Sequence, residues 1–203
     1  MTAYPVPATL MPRDQLTAAG LNANVRDPLK AGFRRPRAKL IYTQAASLGT
    51  GTQPLALGWD SPTHGSTIYD DAFDGSTMVN AGANGFQVVI PDTYRIRGRV
   101  TWAYNASASA GVRYLGLYLD YNNFVSIGGA IGAVPSGVYG DAQALRFDYC
   151  RWINGAPCSA KIDHTMPLIE GACLQLGIFQ NSGVSLAYVP GAAYMWFTIE
   201  AER

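Results

Sequence analysis

The stretch Tyr94-Arg95-Ile96-Arg97-Gly98-Arg99-Val100-Thr101-Trp102 decides the fold class. Every second residue is apolar or glycine, and the residues between them are three arginines and a threonine. Successive side chains of a β-strand point to opposite faces, so this alternation predicts a strand with one buried face and one face outward. Such a strand is stable only when a second sheet covers its apolar face. The stretch therefore predicts a layered β-protein.

The chain after residue 37 continues in short β-type runs that clusters of Gly, Pro, Asn and Ser separate. Only 14% of the 203 residues are charged and 22 are glycine, a composition that suits short strands and tight turns. We expect one all-β domain over 38–203, an antiparallel double-sheet sandwich. The predicted strands are 39–44, 53–57, 85–90, 94–104, 113–121, 145–153, 158–166, 173–181 and 193–201.

Residues 1–37 differ from the rest and are predicted to form an anchoring arm. Residues 1–40 hold seven Lys or Arg against two Asp, whereas the remainder holds eight against twelve Asp or Glu. Three prolines in the first twelve residues predict an extended tip. After it, we expect a short helix that Thr17 caps and that ends or kinks at Pro28. Its narrow apolar stripe needs a surface to dock on, and a partner is favoured over the chain's own body. The predicted anchoring residues are Leu21, Asn22, Val25, Arg26, Leu29, Arg34, Arg35 and Arg37.

Motifs for catalysis or metal binding are missing from the sequence, so we expect no enzyme, no cofactor and no metal. His64 and His164 have no second His or Cys at ligand spacing. The acidic segment 70–75 resembles a calcium loop, but Ala72 stands where an oxygen ligand is needed, which favours a solvated turn. A carbohydrate-active enzyme built on a pair of carboxylates remains an alternative, although the acids are scattered.

The three cysteines leave two interpretations open. In a reducing compartment Cys150, Cys158 and Cys173 are small buried thiols, which is the favoured interpretation. The alternative is a disulfide between Cys150 and Cys158, which flank the turn signal Asn154-Gly155. The sequence has no apolar run of about 18 residues and no secretory signal. We therefore expect synthesis in the cytoplasm and no insertion into a membrane.

Two parts of the sequence resemble known families. The runs 90–102, 113–118, 169–183 and 194–199 resemble the jelly-roll domains of the tumour-necrosis-factor and complement-1q type that occur in phage structural proteins. In the arm, Leu16-Thr17-Ala18-Ala19-Gly20-Leu21-Asn22-Ala23-Asn24-Val25-Arg26-Asp27 resembles the N-terminal segment of minor tail proteins from phages of actinobacteria. Pro28 and Gly20 depart from that pattern and leave the docked length of the arm open.

The resemblance implies an antiparallel jelly roll that follows a short helical arm and assembles as a homotrimer in a virion. The trimer would bury an obligate interface of roughly 2,000 Å² or more. It further implies a minor tail or tail-tip component that the arm attaches to other virion proteins and that binds a host surface glycan or protein. The alternative is a decoration protein or head fibre on the capsid exterior. Nucleic acid is a weaker alternative partner for the basic arm.

Overall fold

The computed structural model describes residues 35–44, 46–50, 55–56, 65–72, 76–80, 85–108, 111–120, 143–151 and 157–202. The predicted helix and the arm up to Arg34 lie outside these residues. All regular secondary structure in the described residues is β. Its strands are β1 (Arg37–Tyr42), β2 (Ser47–Leu48), β3 (Leu55–Ala56), β4 (Gly65–Asp71), β5 (Val79–Asn80), β6 (Gly85–Gln87), β7 (Asp92–Trp102), β8 (Val112–Asp120), β9 (Gln143–Arg151), β10 (Cys158–Leu168), β11 (Cys173–Gln180), β12 (Leu186–Ala187) and β13 (Trp196–Ala201).

The strands form two main sheets in which neighbouring strands are antiparallel. Sheet 1 has the order β10-β7-β13-β1-β4, and sheet 2 has the order β5-β6-β11-β8-β9 with β3 also paired to β11. A small ladder joins β2 to β12. Buried side chains from both main sheets form one apolar cluster, so the molecule is a two-layer sandwich, as predicted.

Strand β7 explains how the two layers pack. Tyr94, Ile96, Val100 and Trp102 are fully buried, whereas Arg95 between them is exposed, which confirms the predicted alternation. Gly98 sits on the buried face, where a Cβ atom would lie 2.7 Å from Cδ1 of Leu176 in sheet 2. The missing side chain of Gly98 therefore lets the other sheet approach closely.

The nine predicted strands correspond to nine of the thirteen strands in the described residues, with bounds displaced by up to three residues. Residues 193–195 belong to the turn before β13 rather than to the strand. Strand β4 was not predicted, and its last residues, Asp70 and Asp71, were taken for a solvated turn. That interpretation is wrong for Asp70, because its carboxylate accepts the backbone N–H groups of Met78 and Val79 at 2.7 and 2.9 Å. The ladders of β2 with β12 and of β5 with β6 were missed as well.

A disulfide joins Cys150 in β9 to Cys158 in β10, with Cα atoms 6.1 Å apart. The favoured interpretation of three thiols is therefore wrong for this pair and holds for Cys173, which is buried as a thiol. The two strands are not neighbours in one sheet, because β9 is an edge of sheet 2 and β10 is an edge of sheet 1. The bond thus ties the two layers together along one side.

Candidate interaction surface

The outward face of sheet 1 carries six of the ten Lys and Arg residues in the described part of the chain. We define the charged face by side chains of β1, β7, β10 and β13 that alternate with buried residues of the same strands. Its charged members are Arg37, Lys39, Arg95, Arg97, Arg99, Lys161, Asp163 and Glu200. Six of these are cationic and two anionic. Asp71 of β4 stands opposite Arg37 in the ladder, and the charge of Glu202 acts on Arg95, so the excess is two positive charges when these two neighbours are counted.

Ion pairs run diagonally across this face. Asp163 stands opposite Arg97 in the ladder between β10 and β7, yet its carboxylate accepts hydrogen bonds from Nε and Nη2 of Arg95 at 2.8 and 2.5 Å. The hydrogen bond from Arg95 holds the pKa of Asp163 below its ordinary value. Arg97 in turn reaches Glu200 of β13, 3.7 Å away. Both pairs are largely solvent-exposed, so they contribute little to folding and remain able to rearrange against a partner.

The side chain of Arg99, unlike those of Arg95 and Arg97, forms hydrogen bonds with neutral oxygen atoms. It donates to the carbonyl oxygen of Ala193 at 2.9 Å and to Oγ of Ser159 at 3.2 Å. Lys161 is its partner across the ladder, so two cations face each other there. Like charges in opposite positions destabilise a sheet in water, and an anionic partner would relieve the repulsion.

The rest of the described chain is close to neutral. Outside the charged face and its two acidic neighbours, five acidic residues accompany four arginines, Arg35, Arg113, Arg146 and Arg151. Arg113 is fully buried, and burial lowers its pKa. The five acidic residues are Asp70, Asp92, Asp120, Asp148 and Glu170. The cations of the described residues are therefore concentrated on one sheet face.

Only two of the predicted anchoring residues lie within the described part of the chain. Arg35 is exposed just before β1. Arg37 is the first residue of β1, and its guanidinium carbon lies 5.1 Å from the ring centroid of Tyr69 on β4. Leu21, Asn22, Val25, Arg26, Leu29 and Arg34 lie outside the described residues. Their role as an anchor stays a prediction.

The described residues show no cluster of three or more His, Cys, Asp or Glu side chains that could hold a metal ion. Nor do they contain a helix long and apolar enough to cross a membrane. His164 lies half-buried on β10, where its ladder partner is Ile96. His64 lies outside the described residues.

Comparison with protein-family models finds no match, and no curated protein matches the sequence. Solved structures do match. Murine APRIL at pH 8.0 superposes with a TM-score of 0.53 at 8% identity, covering 83% of this chain and 100% of that chain. Eiger TNF from S. frugiperda superposes with a TM-score of 0.52 at 7% identity, covering 83% and 93%. The chain has a tumour-necrosis-factor-like fold. At this identity the likeness establishes the fold alone.

The globular domain of zebrafish complement 1qA also matches, at 10% identity and a TM-score of 0.48 over 84% of this chain, and the fold assignment rests on the other two. The TNF-like fold agrees with the jelly roll expected from residues 90–102. Sequence reasoning placed the three arginines of β7 on the outer side of the sandwich, which is confirmed. It missed Lys39, Lys161, Asp163 and Glu200, because these residues join the arginines only once the strand order is known.

Proposed function

We propose that the chain is a non-enzymatic virion structural protein that assembles as a homotrimer. In this proposal it is a minor tail or tail-tip component, anchored to other virion proteins by residues 1–37. The TNF-like body projects outward and contacts the host surface. Binding and assembly are its activities, and no bond is made or broken.

The concentration of cations on the charged face is the observation that carries self-association. A face with an excess of positive charge repels a second copy of the same face, which disfavours a two-fold contact between identical patches. Contact between this face and a more acidic region of the next copy is attractive. Such a head-to-tail contact between different patches closes into a ring when the rotation permits, and a threefold ring fits the trimer that the resemblance implies.

The arm is the basis for placing the protein in a tail. The stretch 16–27 resembles the N-terminal segment of phage minor tail proteins, and its apolar stripe is too short to be stable unless it docks. A decoration protein or head fibre with the same body is the competing assignment. Immunogold labelling of intact virions against this chain separates the two, since the proposal requires label on the tail. Label confined to the capsid would move the protein to the head, and unlabelled virions would reject a virion role.

The trimer is tested by light scattering coupled to size-exclusion chromatography at micromolar concentration. We expect a mass of three chains, and we expect Arg95→Glu combined with Arg97→Glu to shift the protein toward monomer. The matched control is Ala106→Glu, which adds a negative charge in the exposed turn between β7 and β8 and leaves the charged face and the acidic residues intact. A stable wild-type monomer would overturn the trimer. A trimer that the double substitution leaves intact would show that the interface lies elsewhere.

A further inference from the structure

One end of the sandwich is formed by three segments that have no charged side chains of their own, although Arg99 of the charged face reaches one of them at Ala193. Residues 43–50, 103–111 and 181–195 include no Asp, Glu, Lys, Arg or His. They are made of Ala, Ser, Gly, Tyr, Asn, Val, Thr, Leu, Gln, Pro and Met. We call the described residues of these segments, 43–44, 46–50, 103–108, 111 and 181–195, the neutral end.

Hydrogen bonds bring these segments together although they are distant in sequence. The backbone N–H of Ala103 donates to Ala187 at 2.9 Å, and that of Tyr188 donates to Ala46 at 2.8 Å. The side-chain amide of Asn105 donates to the carbonyl oxygen of Ser185 at 3.2 Å. The ladder of β2 with β12 adds a direct pairing between the first and third segments.

A buried glutamine fixes the centre of this end. The side-chain amide of Gln180 donates to the carbonyl oxygens of Leu48 and Val184 at 3.0 and 2.8 Å. Its side-chain oxygen accepts the backbone N–H and the hydroxyl of Ser182 at 2.8 and 2.6 Å. Because a buried amide with all these bonds strongly prefers one arrangement, the neutral end is a pre-organised surface rather than a set of independent loops.

The opposite end of the sandwich is charged and is where the arm joins the body. Arg37 pairs with Glu200 at the start of β1, and the backbone N–H of Glu202 donates to Thr93 at the start of β7. Trp102, at the other end of β7, bridges to Tyr188 of the neutral end. The eleven residues of β7 span about 35 Å, so the neutral end lies that far from the attachment point of the arm.

The neutral end buries its aliphatic residues and exposes tyrosine together with small polar groups. Leu48, Leu186 and Met195 are buried, whereas the side chains of Tyr104 and Tyr194 are 59% and 45% exposed. Exposed hydroxyl and amide groups accompany the two rings, from Thr43, Gln44, Ser47, Thr50, Ser107, Asn181 and Ser185. Tyr, Ser, Gly and Asn are the residues that antibody binding loops use for adaptable recognition.

We propose that the neutral end is a binding surface for an uncharged polysaccharide. A neutral sugar chain presents hydroxyl groups and flat apolar ring faces, and it offers no charge to pair with. Hydroxyl and amide side chains match the hydroxyl groups, and exposed tyrosine rings match the ring faces. Charged side chains are not needed to bind such a ligand, because it carries no charge that must be neutralised. The inference rests on the proposed function in one respect, because the host-facing role needs the arm to hold the opposite end.

The test is binding of the full-length protein to a glycan array that carries both uncharged and anionic polysaccharides. We expect retention on uncharged glycans that changes less than twofold between 50 and 500 mM NaCl. Tyr104→Ala combined with Tyr194→Ala should weaken this retention at least tenfold. The matched control is Ile169→Ala, which removes an equally exposed side chain, at 59%, from the turn at the charged end. Circular dichroism melts establish that all variants fold.

Three outcomes would overturn the proposal: no retention on any uncharged glycan, retention on anionic glycans alone, or equal weakening by the Ile169→Ala control. Retention on a host surface protein in place of glycans would reject it in favour of a protein receptor. The proposed virion role fails separately. Labelling could fail to find the chain on virions while the protein still binds uncharged glycans through Tyr104 and Tyr194. In that case the neutral end would be a glycan site in a protein with another role.

Discussion

Tyr42 and Tyr188 lie edge to face beside the neutral end, with ring centroids 6.0 Å apart and ring planes at 82°. Both side chains are buried. Burial raises the pKa of Tyr188 strongly and the negative charge of Tyr42 adds to this, and burial raises the pKa of Tyr42 as well. The folded protein therefore keeps both phenols neutral at pH values at which an unfolded chain ionises them.

We predict that, in the Tyr188→Phe variant, the free energy of unfolding falls less steeply as the pH rises in the alkaline range. Because the pKa of Tyr188 is raised in the folded state, its full contribution to the free energy of unfolding is present below about pH 10, the pKa of a tyrosine in the unfolded chain. The contribution is lost as pH rises through the folded value, by up to about 1.4 kcal/mol per pH unit for each such group. Thermal melts from pH 8 to pH 11.5 should show a shallower decline for this variant. Tyr104→Phe, at an exposed tyrosine, should decline like the wild type, and the same slope for both variants would contradict the assignment.

At the scale of strands, β9 and β10 bring the two layers together along one side of the sandwich. β9 pairs only with β8, and β10 only with β7, in the described residues. Between them lie the Cys150–Cys158 disulfide and a hydrogen bond from the backbone N–H of Lys161 to Asp148, 2.6 Å long. Besides the polypeptide chain itself, the disulfide is therefore the covalent link between the two sheets on this side of the described structure.

Reduction of the disulfide should loosen this side while the centre of sheet 1 stays folded. We expect Cys150→Ser combined with Cys158→Ser, or treatment with a thiol, to lower the free energy of unfolding by about 2–3 kcal/mol, because the unfolded chain regains the freedom of the closed loop. Hydrogen–deuterium exchange should speed up in β9 and β10 and remain slow in β13. Uniform acceleration across all strands, or no change on reduction, would contradict a local brace.

Sequence reasoning succeeded where a pattern is local and failed where it is not. The alternation in β7 identified the buried face from nine consecutive residues. β4 was missed because its residues, from Gly65 to Asp71, show no alternation of buried and exposed positions. The sequence suggested that the Cys150–Cys158 disulfide would join two neighbouring strands of a hairpin. In the structure, the two cysteines lie on strands of different sheets. The charged face depends on pairing between residues as distant as Arg95 and Asp163, which composition and spacing do not encode.

For the whole molecule, arm and body have separable tasks in the proposed function. The body would form the trimer and the arm would attach it, so damage to one should spare the other. The described residues support a body that folds around its own core, since the apolar cluster is built from strands between Ala38 and Ala201. In the proposed function, the apolar stripe predicted at Leu21, Val25 and Leu29 would contact a different partner.

We predict that Leu21→Asp combined with Val25→Asp abolishes incorporation into particles, because two carboxylates cannot be buried in an apolar socket. The free protein should keep its trimer mass and its melting temperature within about 1 °C. Ala19→Asp combined with Ala23→Asp adds the same charge to the opposite side of the predicted helix and should be incorporated. Quantitative immunoblots of purified particles provide the measurement. Normal occupancy by the first double variant would refute the anchoring role.

The position of β13 has a consequence for biosynthesis. This strand is the last of the described chain, yet it lies in the middle of sheet 1, between β7 and β1. β1 is synthesised early, but the residues of β13 that pair with it, Trp196 to Glu200, lie more than 150 residues further along the chain. Long-range pairing of this kind slows folding and leaves apolar strands open to aggregation in the meantime. Messages that end before codon 196 should therefore yield insoluble chains rather than shortened but working domains, and overproduction should benefit from low temperature or added chaperones.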